Sequence, residues 1–212
     1  MTVRLPSFSR MTLPHLNRLA DTVGLVLVSA SPRRRQILTE AGIRFEAIVP
    51  ATEEQVIPDL SSAQLAVELA RQKAASIALD GRRVYLGCDT IVVFEDHILN
   101  KPVDAPDAMR MLKILSGQTH SVFTGLALYD SRTARCHCGH EESRVRFNHL
   151  AEDDLRRYIA TGEPLDKAGA YGIQGMGRFL VDTVEGSIDN VVGLPMNELE
   201  RLAGVLFETY VG

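Results

Sequence analysis

Leu25-Val26-Leu27-Val28-Ser29-Ala30-Ser31-Pro32-Arg33-Arg34-Arg35 is the stretch on which the fold of this chain turns. A short, Val-rich apolar run passes directly into a Ser-Pro pair. Serine is a favoured helix N-cap and proline is favoured at the first helical position. The junction is therefore strand, tight turn, helix. Ile37, Leu38 and Ala41 continue the helix on one face as far as Gly42, and Phe45 to Val49 follows as a second strand.

The same alternation runs on toward the C-terminus. Ser61 with Gln64 forms a capping box ahead of Leu65, Leu69, Ala70 and Ile77 at helical spacing, which predicts a helix of about five turns. Val84 to Phe94 is a long β-rich run broken by the hairpin turn Glu95-Asp96-His97. Asp104 caps a helix carrying Ala108, Met111, Leu112 and Leu115, which Ser116-Gly117 ends. Ser121 to Tyr129 and Ser143 to Phe147 are expected as antiparallel strands joined by a loop, with a helix from Glu152 to Ala160 and Gly162 at its end. From Asp166 to Gly177 the residues are small and flexible; a strand, Phe179 to Val184, comes next, and Pro195 starts a closing helix with Leu199, Leu202, Ala203 and Leu206. The expected class is α/β: a mixed, twisted sheet flanked by helices, in two lobes around a central cleft.

Composition narrows the function. The 212 residues are 45% hydrophobic and 24% charged, the profile of an ordinary globular protein. A formal net charge of -4 argues against a broad nucleic-acid footprint, which draws on a surplus of Lys and Arg. No run approaches the roughly 18 apolar residues of a membrane span. Three Cys, two of them at Cys136 and Cys138, do not make a disulfide framework and point to a reducing compartment. Residues 1–24 carry Arg4, Arg10 and Arg18 with Ser7 and Ser9 and no acidic residue before Asp21. That composition suits an organelle-targeting segment, a bacterial N-terminal extension, disordered or not, or a start codon set too early. Residues 25–212 are expected to form a single catalytic domain, with the cytoplasm as the expected location and an organelle as the variant.

Three constellations carry chemistry. At Ser29 to Arg35 the exposed amides of a helix N-terminus and adjacent guanidiniums suit an anion, so the segment is either a phosphate cradle or a solvated charged face. In Gly87-Cys88-Asp89-Thr90 a carboxylate stands inside an apolar strand, where it must be paired, hydrogen-bonded or metal-bound. Asp89 is either catalytic or a structural acid at a bulge. Asp166 to Gly175 is a glycine-rich segment with Gln174, whose amide both donates and accepts, and it is either a base pocket or a purely conformational turn. Glu53, Glu54, Lys73 and Lys101 add charges near strand and helix ends. Phosphoanhydride hydrolysis needs such an inventory: a hard cation on carboxylates, positive groups on the phosphates, an oriented water. Cys136-His137-Cys138-Gly139-His140 has metal-binding residue types, but it lacks paired CxxC spacing and falls in the expected loop between strands. No GxxxxGK[ST], GxSxG or HExxH is present.

Eight ordered segments between Leu25 and Leu206 together resemble the Maf family, within the inosine-triphosphate-pyrophosphatase-like group. They are SASPRR at Ser29 to Arg34, EEQ at Glu53 to Gln55, LARQKA around Lys73, GCDTIVV at Gly87 to Val93, NKP at Asn100 to Pro102, LSGQTHSVFTG at Leu115 to Gly125, DKAGAYGIQG at Asp166 to Gly175 and VVGLP at Val191 to Pro195. The resemblance implies a hydrolase of phosphoric anhydrides with a house-cleaning role, cutting nucleoside triphosphates to the monophosphate and pyrophosphate. It makes Asp89, Glu54, Lys73 and Lys101 the catalytic set, with Asp89 as general base and Asp89 with Glu54 holding Mg²⁺ or Mn²⁺. Ser29, Ser31, Arg33, Arg34, Thr90 and Gln174 become substrate-binding. Arg33 and Arg34, with Lys73 and Lys101, hold the triphosphate, and Arg33, Thr90 and Gln174 set base preference. The Asp-Thr pair and the Gly-Ile-Gln-Gly loop resemble the branch acting on dTTP and UTP, modified pyrimidine nucleotides included, rather than the 7-methyl-GTP branch, which has Asp-Gln. A homodimer is also implied. Cys88 in place of the usual Ala, the long N-terminus and the Cys- and His-bearing segment are departures. The competing classes are a nucleotide-binding regulator of septum formation without significant turnover, and a phosphoryl transferase, which the missing phosphate loop disfavours.

Overall fold

The structure is a computed structural model that describes residues 11–50, 57–77 and 82–211. Its elements are α1 (Pro14–Thr22), β1 (Leu25–Val28), α2 (Pro32–Glu40), β2 (Glu46–Ile48), α3 (Ser62–Ala75), β3 (Val84–Phe94), β4 (His97–Leu99), α4 (Ala105–Leu115), β5 (Thr119–Asp130), β6 (Arg135–Phe147), α5 (Glu152–Ala160), β7 (Val181–Glu185), α6 (Ile188–Val192) and α7 (Met196–Val211). Seven strands make one mixed sheet, ordered β2-β1-β3-β5-β6-β7 with β4 paired to β3. The pairings of β1 with β2 and β3 are parallel, those of β3 with β4 and of β6 with β7 antiparallel. The α/β class with helices flanking a mixed sheet is therefore the observed one. Among the described residues no helix is long and apolar enough to cross a membrane.

The described chain divides into two compact units. One takes 11–50, 57–77, 82–89, 124–141 and 193–211; the other takes 90–123 and 142–192. In the first, all four residues of β1 are buried, with Ile37 and Leu38 of α2, Leu65 and Leu69 of α3 and Leu199, Leu202 and Leu206 of α7. In the second, Met111, Leu112 and Leu115 of α4 and Leu155 and Ile159 of α5 are buried, and these two helices pack together.

Local signals account for most boundaries. The capping box at α3 is complete, Gln64 N donating to Ser61 Oγ (3.3 Å) and Ser61 N to Gln64 Oε1 (3.0 Å). Asp104 caps α4 by accepting from Asp107 N at 2.8 Å. Gly117 and Gly162, just past α4 and α5, are left-handed as C-terminal glycines are.

Three features depart from expectation. The Cys136 to His140 segment is not a loop: β6 begins at Arg135, so only residues 131–134 join it to β5. Buried Asp130 makes so short a connection possible, its carboxylate accepting from Arg132 N (2.9 Å) and Thr133 Oγ1 (2.7 Å). The expected strand at Phe179 starts two residues later, because Gly175 to Leu180 wind as a 3-10 turn. Within the stretch set aside as an extension, residues 14–22 form α1, which packs on α7 through Leu16, Leu19 and Ala20. Leu13, Leu16, Leu19 and Ala20 already recur at helical spacing, and Pro14 sits at the first helical position. Glu200 of α7 receives the otherwise unpaired amides at the start of α1, accepting from His15 N and Leu16 N, both at 2.9 Å, and it also meets His15 Nδ1 at 2.7 Å. Glu200→Ala is expected to cost about 1–2 kcal/mol, seen as a lower urea midpoint with an unchanged m-value.

Candidate functional site

The parallel strands β1 and β3 lie side by side, and β1 ends at Val28, opposite Gly87, while β3 runs on to Phe94. Because β1 lies between β2 and β3, the chain turns to one side of β1 and then crosses to the other. In open α/β sheets ligands bind at the carboxyl ends of strands where the winding reverses in this way. Ser29 follows β1 and is buried; its amide donates to Ile48 O at 2.9 Å, and its hydroxyl accepts from Ser31 N and from Arg34 Nη1, both at 3.2 Å. Ser31 is the N-cap of α2, accepting from Arg34 N at 3.4 Å, with Pro32 behind it at the first helical position. The Arg34 side chain runs inward, and its Nε donates to Gly193 O at 2.8 Å. That bond ties the SASPRR turn to the VVGLP segment, 159 residues away in sequence. Arg33 stays half-buried and Arg35 exposed.

Asp89 is next on β3. Its carboxylate forms an ion pair with Lys73 of α3, and each side chain is only 13% exposed. The helix reaches the strand because Gly87 has no side chain: an added Cβ would run into Ala70 O and lie 2.7 Å from Ala74 N. Gly125 of β5 does the same beneath Ala66. Two glycines thus let α3 rest on the sheet with its backbone, which brings the last-turn Lys73 over Asp89. Cys88, between Gly87 and Asp89 in sequence, is fully buried; burial pushes its thiol up to about 11, while Arg34 and Lys73 draw it down and Asp89 raises it. The charges of Arg34, Lys73 and Asp89 thus all bear on the Cys88 thiol midway along β3.

Thr90, Lys101 and Gln174 belong to the other unit. Thr90 and Gln174 are half-buried and Lys101 is exposed. The Gly-rich segment around Gln174 is tightly held. Asn100 O accepts from Gly169 N at 3.2 Å, joining NKP to DKAGAYGIQG. Glu163 accepts from Met176 N (3.0 Å), Gly177 N (3.2 Å) and Tyr158 Oη (3.0 Å), and Tyr158 Oη accepts in turn from Gly172 N at 3.1 Å. A Cβ at Gly177 would collide with Tyr158 Oη, so the loop closes around this phenol only with glycine there. Beneath it Tyr171, His120 and Phe147 meet edge to face, with His120 Nε2 and Tyr171 Oη 2.8 Å apart. Glu54 lies outside the described residues, as does the rest of EEQ.

Several participants had no distinguishing signal in the sequence. Glu163 is an acid just past a helix end, a position where a solvated charge is common. Gly193 acts through its carbonyl, which no residue type announces. Tyr158 stands in an ordinary amphipathic pattern on α5, where its apolar body is what the spacing requires.

An α/β sheet with a buried arginine and a proline-led helix N-terminus after β1, and a lysine-acid pair on the neighbouring β3, has the features of a protein of the phosphate-handling kind. The model of the family described as Maf-like protein matches residues 24–205, and the chain belongs to that family. The dTTP/UTP pyrophosphatase of Alkaliphilus oremlandii is 48% identical over 177 residues, covering 82% of this chain and 92% of the relative. That of Salmonella typhimurium is 49% identical over 181 residues, covering 84% and 90%. Among solved structures, a dITP/XTP pyrophosphatase from Mycobacterium abscessus overlaps with a TM-score of 0.45 at 12% identity, over 87% of this chain and 97% of that one, a likeness too loose to bear on fold or function.

His120 makes the packing of the Gly-rich segment sensitive to pH. Burial pushes its imidazole from 6.5 down to about 3. The unfolded chain takes up this proton near 6.5 and the folded chain only near 3, so the stability is complete above the first value and declines as the pH falls toward the second. The decline approaches about 1.4 kcal/mol per pH unit. His120→Gln is expected to flatten this slope in urea titrations between about pH 4 and 7.

Proposed function

We propose that this chain is a nucleoside triphosphate pyrophosphatase that hydrolyses dTTP and UTP, and modified pyrimidine nucleotides of that shape, between the α and β phosphates. The observation that carries the reading is the Asp89–Lys73 pair midway along β3, on the strand next to the one that leads into the Ser29, Ser31 and Arg34 turn opening α2. The relatives at 48% and 49% identity, both dTTP/UTP pyrophosphatases, agree with it.

Phosphate oxygens suit the N-terminus of α2, where first-turn amides and the half-buried Arg33 supply positive charge. Arg34 acts here chiefly by holding the turn in shape, since its Nε and Nη1 are engaged with Gly193 O and Ser29 Oγ. Lys73 neutralises Asp89 before substrate arrives. An incoming phosphate competes for that ammonium, and the carboxylate it leaves accepts a proton from water as the water attacks the α-phosphorus. In this reading Lys101 serves the triphosphate, and Thr90 and Gln174, with Arg33, serve the base.

Asp89 offers hard oxygen, and among the described residues no three His, Cys, Asp or Glu side chains converge. A Mg²⁺ or Mn²⁺ ion therefore suits Asp89, with Glu54, only when the substrate's own phosphate oxygens complete its shell, as magnesium sites commonly arrange. When bound, the ion supplies charge neutralisation on the departing pyrophosphate. Residues 25–212 serve in this reading as one catalytic domain, acting as a cytoplasmic homodimer.

Incubation with a panel of nucleoside triphosphates and Mn²⁺ tests the reading. Pyrophosphate released from dTTP and UTP ahead of the purine nucleotides is expected. Orthophosphate in its place moves the cleaved bond, and nucleotide binding without turnover leaves a regulator instead of an enzyme. Asp89→Asn is expected to lower kcat about a hundred- to ten-thousand-fold, with the far-ultraviolet circular dichroism spectrum unchanged. Because Lys73 then loses its buried counter-charge, a lower Tm should accompany the loss. Wild-type turnover in this variant removes Asp89 from the role of base.

A further inference from the structure

Cys136 and Cys138 are two residues apart on β6, so their side chains share one face while His137 points to the other. The two Sγ atoms are 3.4 Å apart, in a thiol–thiol hydrogen bond. Both are half-buried against Ala70 and Ala74 of α3 and Ala127 and Tyr129 of β5. Arg71 of α3 acts on both sulfurs with its positive charge, and its guanidinium is anchored by two 2.7 Å bonds to Glu68. The Arg71 cation favours thiolate on both sulfurs, while the Glu68 carboxylate paired with it raises both thiols. Alternation along the strand takes His137 away from the pair, so a Cys-His-Cys metal ligand set does not form here.

The remaining thiol differs in kind. Cys88 is fully buried, and desolvation makes it inert at neutral pH. Within the pair the asymmetry is set by the hydrogen bond. The thiol of Cys136 is raised by its hydrogen bond with Cys138 and by burial, and that of Cys138 is lowered by the same bond.

We propose that Cys136 and Cys138 form a reversible oxidation site, a dithiol that exchanges with low-molecular-weight disulfides of the glutathione class and closes to an intrachain disulfide. The Cys138 thiolate attacks one sulfur of the disulfide RSSR, forming Cys138–S–SR and expelling one RS⁻. Cys136 then gives its proton to solvent, and its sulfur attacks Cys138 Sγ, forming the protein disulfide and expelling the second RS⁻. Two protein thiols lose two electrons and two protons, and one RSSR becomes two RSH. Residues two apart on a strand hold their Cα atoms roughly 6.6–6.8 Å apart, the upper end of what a disulfide spans. The bridge is therefore one that reductant reopens readily.

The test uses the full reduced chain, incubated with oxidised glutathione, quenched in acid, unfolded and alkylated before intact-mass measurement. The expected product has lost two hydrogens, keeps one alkylatable thiol of the original three and regains all three with dithiothreitol. Cys136→Ser should stop at a stable glutathione adduct on Cys138, and Cys138→Ser should react about tenfold more slowly. Three thiols still alkylatable in the wild-type chain, a glutathione adduct that persists on it, or a disulfide-linked dimer on a non-reducing gel would each overturn the proposal. Equal reaction rates of the two variants overturn the assignment of Cys138 as the attacking sulfur.

Discussion

A carboxylate in the middle of an apolar strand survives only if something charged is brought to it, and the region around β3 is organised by that need. Lys73 is the group that meets Asp89, and it arrives on a helix whose backbone lies directly over the strand. Taking both charges largely out of water costs several kcal/mol per ion, which their attraction offsets only in a well-fitted geometry. Gly87 and Gly125 provide the fit by removing the two side chains that would hold α3 off the sheet. The pair does little for net stability, but with either member gone the other is a buried charge without its partner. Such an arrangement is expected where chemistry and not packing selects the residues.

The second constraint is how the SASPRR turn keeps its shape. Ser29, Ser31 and Arg34 satisfy one another, and Arg34 reaches across to the carbonyl of Gly193. An arginine so committed is a strut. The Arg triplet divides into three different environments: half-buried, buried and exposed. Treating the triplet as one basic patch would miss this division of work.

In the other unit the Gly-rich segment is held from within by a phenol and a carboxylate. Tyr158 and Glu163 take up amides of Gly172, Met176 and Gly177, and the aromatic trio of His120, Phe147 and Tyr171 supports it from below. A loop rich in glycine would otherwise pay heavily in conformational entropy for a single shape. The polar clamp and the edge-to-face packing offset that cost, so Gln174 emerges from a fixed backbone.

Most of the fold was legible in the sequence because its signals are local. The Ser-Pro junction after β1, the capping box of α3, the Asp104 cap and the glycines past α4 and α5 each act within a few residues, where neighbouring side chains and amides meet whatever the rest of the chain does. Asp89 could be singled out alone, since burial of an acid is costly wherever it occurs. What it meets could not: Lys73 lies 16 residues away, and the Arg34–Gly193 bond spans 159. Nor could the strand character of Cys136 to His140, which depends on Asp130 folding the chain back in four residues, or the docking of α1, which depends on Glu200 near the far end of the chain. Residue types and their spacing determined which groups were present and which elements carry them. Only the tertiary structure decided which charges neutralise one another, because distance through space is set by packing and leaves no trace in sequence order.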